Sequence, residues 1–271
     1  MDEEPGDRES AAPRSTNDNR DVVRQRFGRA AEGYVESATH RAPDELATIV
    51  RFAEPQPTDV ALDIATGGGH TALALAPHVA RVIATDITDE MLEAARAHVA
   101  GSGGSNVEYR LADAEALPFA DASFEIVTCR IAAHHFPHPE RFVSEAARVL
   151  RPGGRLVLQD QVVPADPDAA RVVNEFEALR DPSHARALSE PEWLALLSGA
   201  GLEIGEVEHV LKPHEFVGWC SLQACAPETV ERLVDLLAGA PASVRAWMDP
   251  HEWGTPEATF ANRQAIIQAR R

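Results

Sequence analysis

The chain has 271 residues, 44% hydrophobic and 25% charged, a size and balance that suit one sizeable α/β domain able to bury a full core. Its 25 basic residues stand against 43 acidic ones, leaving a net charge of −18, and Lys212 is the only lysine. Such a chain repels phosphate backbones and anionic lipid, and with no basic stripe to relieve it, nucleic acid and membrane surfaces are excluded as expected partners.

The apolar runs are broken by charge or proline well short of a membrane span. Cys129, Cys220 and Cys225 are odd in number and lack metal-ligand spacing, so neither a disulfide framework nor a metal is expected. The opening MDEEPGDRES is acidic and polar where a signal peptide would be basic and then apolar. A cytoplasmic location is the expectation.

Residues 1–18 carry too little apolar content to offset the cost of ordering, and are expected to be a disordered tail before a domain over 19–271. Val23, Phe27, Ala31 and Tyr34 then recur at spacings that share one helix face, and a second helix is expected from Asp44 to Phe52.

From Asp59 to Gln161, short β-branched runs alternate with helix-length segments, the pattern of βα units in a parallel sheet covered on both faces. The expected strands are Val60 to Ile64, Arg81 to Thr85, Val107 to Leu111, Glu125 to Thr128 and Arg155 to Leu158. The intervening helices are Thr71 to Ala76, Glu90 to Ala100, capped by Thr88, and Pro139 to Leu150.

Beyond Gln161 come helices at Ala169 to Leu179 and Glu190 to Ser198, a strand from Leu202 to Val210, and a last strand from Ala258 to Ala269. Residues 212–256 hold five prolines and three tryptophans without period-two alternation, and read as a helical insertion. The expected fold is therefore α/β: a Rossmann-like, mostly parallel sheet of seven strands with helices on both faces. A helical lead-in precedes the sheet and a helical insertion precedes its last strand.

The densest chemical signal is Leu62-Asp63-Ile64-Ala65-Thr66-Gly67-Gly68-Gly69-His70. An apolar strand delivers an acid, and glycines then turn the chain so that a ligand can lie against bare backbone at the head of a helix. Asp86, at the end of the next strand, is placed to accept from a ribose diol. Asp113, after the third, can reach an exocyclic amine, with the Ala114 amide beside it for a ring nitrogen. These suit adenosine.

Gly67 to Ala72 also fits G-x-G-x-x-A, so a nicotinamide cofactor competes. Asp63 would oppose a pyrophosphate but favour an ammonium group, and Asp113 supplies a second carboxylate where dinucleotide sites usually offer apolar contacts. A sulfonium cofactor with an amino-acid tail, S-adenosylmethionine, accounts for all three acids.

From about Asp21 to Val210 the chain resembles the class I S-adenosylmethionine-dependent methyltransferases, in the branch similar to the ubiquinone/menaquinone C-methyltransferases. The matching stretches are DIATGGGH, VIATDITDEML, YRLADAEALPFADASFEIVTCR, IAAHHF and ARVLRPGGRLVL, in family order. Ala65 departs from the glycine many relatives carry. The resemblance implies that Ala65, Thr66, Gly67 and Gly69 pack against the methionine and ribose portion, with Asp63 near its ammonium. It further implies that Asp86 holds the ribose, Ile87 lies on adenine, Asp113 and Ala114 read its edge, Arg130 borders the methionine, and Tyr34 closes over the cofactor. The product would be S-adenosylhomocysteine.

Methyl transfer from a sulfonium depends chiefly on alignment, and a base is optional. For a phenol, enol or quinol acceptor a histidine could take the proton; His135, with its neighbour His134, is the candidate, ahead of His40 and His138. The expected acceptor is a small, apolar or aromatic molecule methylated on oxygen or carbon, with Phe216, Trp219, Trp247 and Trp253 of the insertion suggesting its character. The cysteines raise an arsenic or thiol-dependent transfer as a minor option. A homodimer is compatible with the sequence, which does not set the oligomeric state. The alternatives are a protein of the same fold that binds the cofactor with another or no reaction and, more distantly, an NAD(P)-dependent oxidoreductase.

Overall fold

The computed structural model describes residues 20–24 and 42–271. The tail, most of the lead-in helix, Tyr34 and His40 lie outside the described residues. Residues 20–24 are helical. Helix α1, Pro43–Ala53, starts on a proline whose missing N–H costs nothing in a first turn, with Asp44 and Glu45 at its positive end.

The βα alternation follows: β1 Val60–Ile64, α2 His70–Leu75, β2 Arg81–Asp86, α3 Asp89–Gly101, β3 Val107–Leu111, β4 Phe124–Arg130, α4 Pro139–Val149 and β5 Leu150–Val162. Then come α5 Pro167–Arg180, α6 Glu190–Gly199, β6 Glu203–Glu215, α7 Phe216–Ser221, α8 Pro227–Ala238, α9 Ala242–Met248 and β7 Thr259–Arg270. The seven strands form one sheet in the order β3-β2-β1-β4-β5-β7-β6, with β7 antiparallel to both its neighbours. This is the doubly wound architecture the alternation predicts.

β1 lies parallel between β2 and β4, covered on both faces, which is why its apolar residues run together rather than alternate. One face packs Phe142, Val143, Leu156 and Trp193. The other packs Ile49 and Phe52 of α1 with Leu75, Val82 and Ile126. Each such side chain contributes about 1.5–3 kcal/mol when fully buried. Cys129 is part of the first core, as its place in β4 suggests.

Two boundaries differ from the sequence reading for one reason, the length of β7. It pairs with β5 from Arg155 to Val162 and with β6 as far as Glu215, so both strands outrun their apolar stretches. Residues 212–215 therefore belong to β6 rather than to the insertion, and Pro213 is tolerated because β6 is an edge strand.

The rest of the insertion is helical, with Pro227 in the first turn of α8 and Pro241 capping α9. Its aromatics pack into the protein. Trp219 stacks on Phe176 of α5 at 5.3 Å and meets Phe260 edge-on at 4.8 Å, and Phe216 sits 4.7 Å from Trp253. Among the described residues no helix is long and apolar enough to cross a membrane.

Candidate active site

The carboxyl ends of β1, β2, β3 and β4 lie at one edge of the sheet, where strand order reverses about β1. Asp63 is 1% exposed there. The register places it beside Thr128 of β4, whose Oγ1 donates to it at 2.7 Å, and Thr66 Oγ1 donates at 2.6 Å from across the turn. Burial drives its carboxyl up to about 6 in spite of both hydroxyls and Arg130.

The turn that follows is left-handed at Ala65, Gly67 and Gly69, with φ of 52°, 52° and 80°. A Cβ on Gly69 would stand 3.1 Å from both Ala95 and Val99 of α3, so that glycine is required by helix packing beneath the loop. Gly67 has nothing within 4 Å of where its Cβ would be, leaving bare backbone toward the cavity. Its N–H donates to Asp86 Oδ2 at 3.1 Å. Burial raises the Asp86 carboxyl as well, against the amides of Gly67 and Thr88. Thr88 caps α3 as expected, accepting from Met91 N at 3.4 Å.

Asp113 accepts from Glu115 N at 2.9 Å and pairs with Arg20 at 3.1 Å; Arg20 also donates to Glu115 at 2.6 Å. The lead-in is thereby tied to the rim. Arg130, at the end of β4, donates from Nε to Gln159 at 2.8 Å and from Nη2 to Glu45 at 3.3 Å. Gln159 donates to the same Glu45 oxygen at 2.7 Å, and Lys212 donates to the other.

These groups surround a cavity of about 960 Å³ including its open mouth. Asp63, Ala65, Thr66, Gly67, Asp86 and Ile87 line it, with Asp113, Ala114, Arg130 and His135. Gly69 does not line it. His134 does not either: the 3₁₀ turn Ala133–His135 sends its ring to Asp160, with Nδ1 2.7 Å from Oδ1. The insertion's aromatics are also absent from the lining, since they are used in the core beside α5.

Arg20, Glu45, Gln159 and Asp160 escaped the sequence reading. Asp160 carried a usable signal, an acid closing an apolar strand, just as Asp86 does. Glu45 carried none, because an acid in the first turn of a helix is ordinarily a solvated partner of the dipole.

A doubly wound sheet with acids ending successive strands, and a glycine turn opening on bare backbone, defines a nucleoside-binding α/β protein whose ligand is cationic rather than phosphorylated. Residues 62–158 match the family described as "Methyltransferase domain". The chain is 39% identical over 193 residues to the methyltransferase YcgJ of Bacillus subtilis (strain 168), covering 71% of this chain and 76% of that one. A solved structure from Bacillus halodurans assigned to the methyltransferases superposes with a TM-score of 0.80 at 39% identity, covering 84% of this chain and 98% of the other. The demethylmenaquinone methyltransferase of Clavibacter sepedonicus is 35% identical over 139 residues, 51% of this chain and 56% of that one. The chain belongs to the S-adenosylmethionine-dependent methyltransferases.

Proposed function

We propose that this methyltransferase acts on a small, apolar or aromatic molecule carrying an ionisable O–H or C–H, a phenol, enol or quinol, and methylates it on oxygen or carbon. The observation that carries the reading is the make-up of the cavity, which is lined by acids and bare glycine backbone together with His135, Ile131, Ala132, Phe136 and Pro137.

When bound, the cofactor supplies a methyl group on a positively charged sulfur. Asp63 would hold its ammonium and Asp86 its ribose diol, Ile87 would lie against the adenine, Asp113 with the Ala114 amide would meet the adenine edge, and Arg130 would border the methionine portion. Burial holds His135 down to about 4, so at any ordinary pH it is a neutral imidazole whose unprotonated ring nitrogen can accept a hydrogen bond from the acceptor's O–H and orient it toward the methyl group. The apolar residues beside it exclude water and favour a ring. The similarity to a demethylmenaquinone methyltransferase supports a quinol-like acceptor.

A panel of phenols, enols and quinols with S-adenosylmethionine tests the reading, with calorimetry of the cofactor run alongside. Turnover of a panel member that falls about 10²-fold or more in His135→Ala, with cofactor affinity unchanged, is the expected result. Transfer confined to amines or thiols would overturn the acceptor class, and unchanged turnover in the variant would remove His135 from the chemistry.

A further inference from the structure

Behind the cavity wall lies a buried polar cluster that the methyl-transfer reading leaves unused. His134, His135 and His184 are grouped in it, with His134 4.1 Å from His135 and 5.5 Å from His184 between ring centroids. Three carboxylates face them: Asp160 from β5, Glu177 from α5 and Asp181 just beyond α5. Rings this close repel if two are charged, so the cluster favours a single imidazolium.

The hydrogen bonds decide which ring holds it. His135 Nδ1 stands 3.0 Å from the carbonyl oxygen of Ser183, which can only accept, so that nitrogen carries the proton and a neutral ring satisfies the contact. Ser183 is itself fixed by Asp181, to which it donates from N at 2.9 Å and from Oγ at 2.5 Å. His184 donates from Nε2 to Asn174 Oδ1 at 2.8 Å, an oxygen that also accepts from Ala187 N at 2.7 Å. His134 meets a carboxylate directly, with its Nδ1 2.7 Å from Asp160 Oδ1. The second oxygen of Asp160 is buried with no hydrogen-bond partner among the described residues, so His134 is the group that offsets its charge.

We propose that Asp160 and His134 are a positioning pair for His135: Asp160 holds the cluster's one proton charge on His134, and that charge keeps His135 a neutral, Nδ1-protonated imidazole at the cavity wall. The proposal rests on the reading of His135 as the group that faces the acceptor. The titration behaviour agrees. Burial opposes a charge on His134, yet Asp160, with Glu177 and Asp181, carries it above its ordinary value. Burial and the His134 charge together hold His135 at about 4 and His184 well below its ordinary value. The backbone reinforces the arrangement, since the His134 carbonyl accepts from Ala185 N at 2.9 Å and Arg186 N at 3.0 Å, clamping the 3₁₀ turn to the segment that carries Ser183.

The test is a two-bond ¹H–¹⁵N correlation titration of the full chain with labelled histidine, the rings assigned by loss of signals in His134→Gln and His135→Gln. In the unaltered protein His134 is expected to be an imidazolium at pH 7, and His135 the Nδ1–H tautomer down to about pH 5. In Asp160→Asn, which keeps an oxygen acceptor in place, His134 becomes neutral at pH 7 and the His135 midpoint rises by about one unit or more toward 6.5. His134→Gln removes the cation by a second route but leaves the Asp160 charge, which by itself raises His135, so the midpoint rises by at least as much. A neutral His134 in the unaltered protein at pH 7, or a His135 midpoint that moves in neither variant, overturns the proposal. These readouts need no acceptor. If they hold while His135→Ala keeps full turnover, the pair stands and the acceptor-side role of His135 fails.

Discussion

Glu45, in the first turn of α1, accepts a hydrogen bond from Arg130 at the end of β4 at 3.3 Å while its other oxygen takes the ammonium of Lys212. One buried carboxylate thus joins the lead-in to the cavity wall and to the edge strand, with Gln159 and Gln264 satisfying the remaining polar atoms. In Glu45→Gln the buried Arg130 and the half-buried Lys212 each lose the Glu45 counter-charge. Stability is expected to fall by about 3 kcal/mol, of the size measured when one partner of a buried pair is removed. Cofactor affinity falls several-fold as Arg130 is released. Urea unfolding and calorimetry check this, and a loss below about 0.5 kcal/mol would mean the network is solvated.

Asp63 links cofactor affinity to pH. Its carboxyl sits at about 6, so below that pH it must lose a proton before it can attract an ammonium group. Affinity for S-adenosylmethionine is expected to be flat above pH 6 and to fall about tenfold per unit below it. Asp63→Asn removes the slope and lowers affinity at pH 8 by about 10- to 100-fold. The sign for folding is opposite: a carboxyl raised above its unfolded value costs stability above pH 6, a cost that fades as pH falls toward 3.8. A persistent acid slope in the variant assigns it to another group.

The glycine turn gives two substitutions of opposite sign. Gly69→Ala combines a positive φ with a Cβ 3.1 Å from Ala95 and Val99, and is expected to cost about 2 kcal/mol while weakening cofactor binding. Ala65→Gly relieves a Cβ held at φ 52°, and a net gain of about 0.5 kcal/mol is expected after the greater freedom of the unfolded chain is counted. Thermal unfolding of the two single variants decides it; equal shifts would show that the loop relaxes around either residue.

His214 makes the fold acid-sensitive. Its ring lies 5.2 Å from Phe260 and 6.3 Å from Trp219, and burial, with Arg180 and Lys212, holds it to about 4. The neutral ring is the form that folds, so its stabilisation is complete above pH 6.5 and is lost as pH falls from 6.5 toward 4. The stability lost between pH 7 and pH 4.5 is expected to be about 2 kcal/mol smaller in His214→Phe than in the unaltered protein. His135 and His184 add losses of the same sign in both proteins. Identical acid limbs in chemical denaturation would place His214 near its ordinary value.

Most of the fold was legible because each βα unit is specified locally. Val60 to Ile64, the glycine turn and Thr88 each act through a few neighbours in sequence, so periodicity, turn chemistry and capping locate them. Strand ends at β5 and β6 were not, because a ladder's length is set by its partner, and β7 lies far along the chain. Which surface the aromatic residues of the insertion cover, core or acceptor, was not legible for a similar reason. Trp219 and Phe216 are buried by Phe176 and Phe260, two residues from other elements, and composition does not say which surface an aromatic ring covers.

The amino-acid sequence by itself determined the alternation of strands and helices, the acids at the ends of β1, β2 and β3, and the cationic, phosphate-free character of the ligand. Each of these is written in short-range pattern and residue charge. Only the tertiary structure decided that His135 and not His134 reaches the cavity, that Glu45 is a buried counter-ion, and that Asp160 stands behind the wall. Those outcomes depend on which side chains from distant elements meet away from water, where a 3 Å contact and the loss of solvent outweigh anything neighbours in sequence can specify.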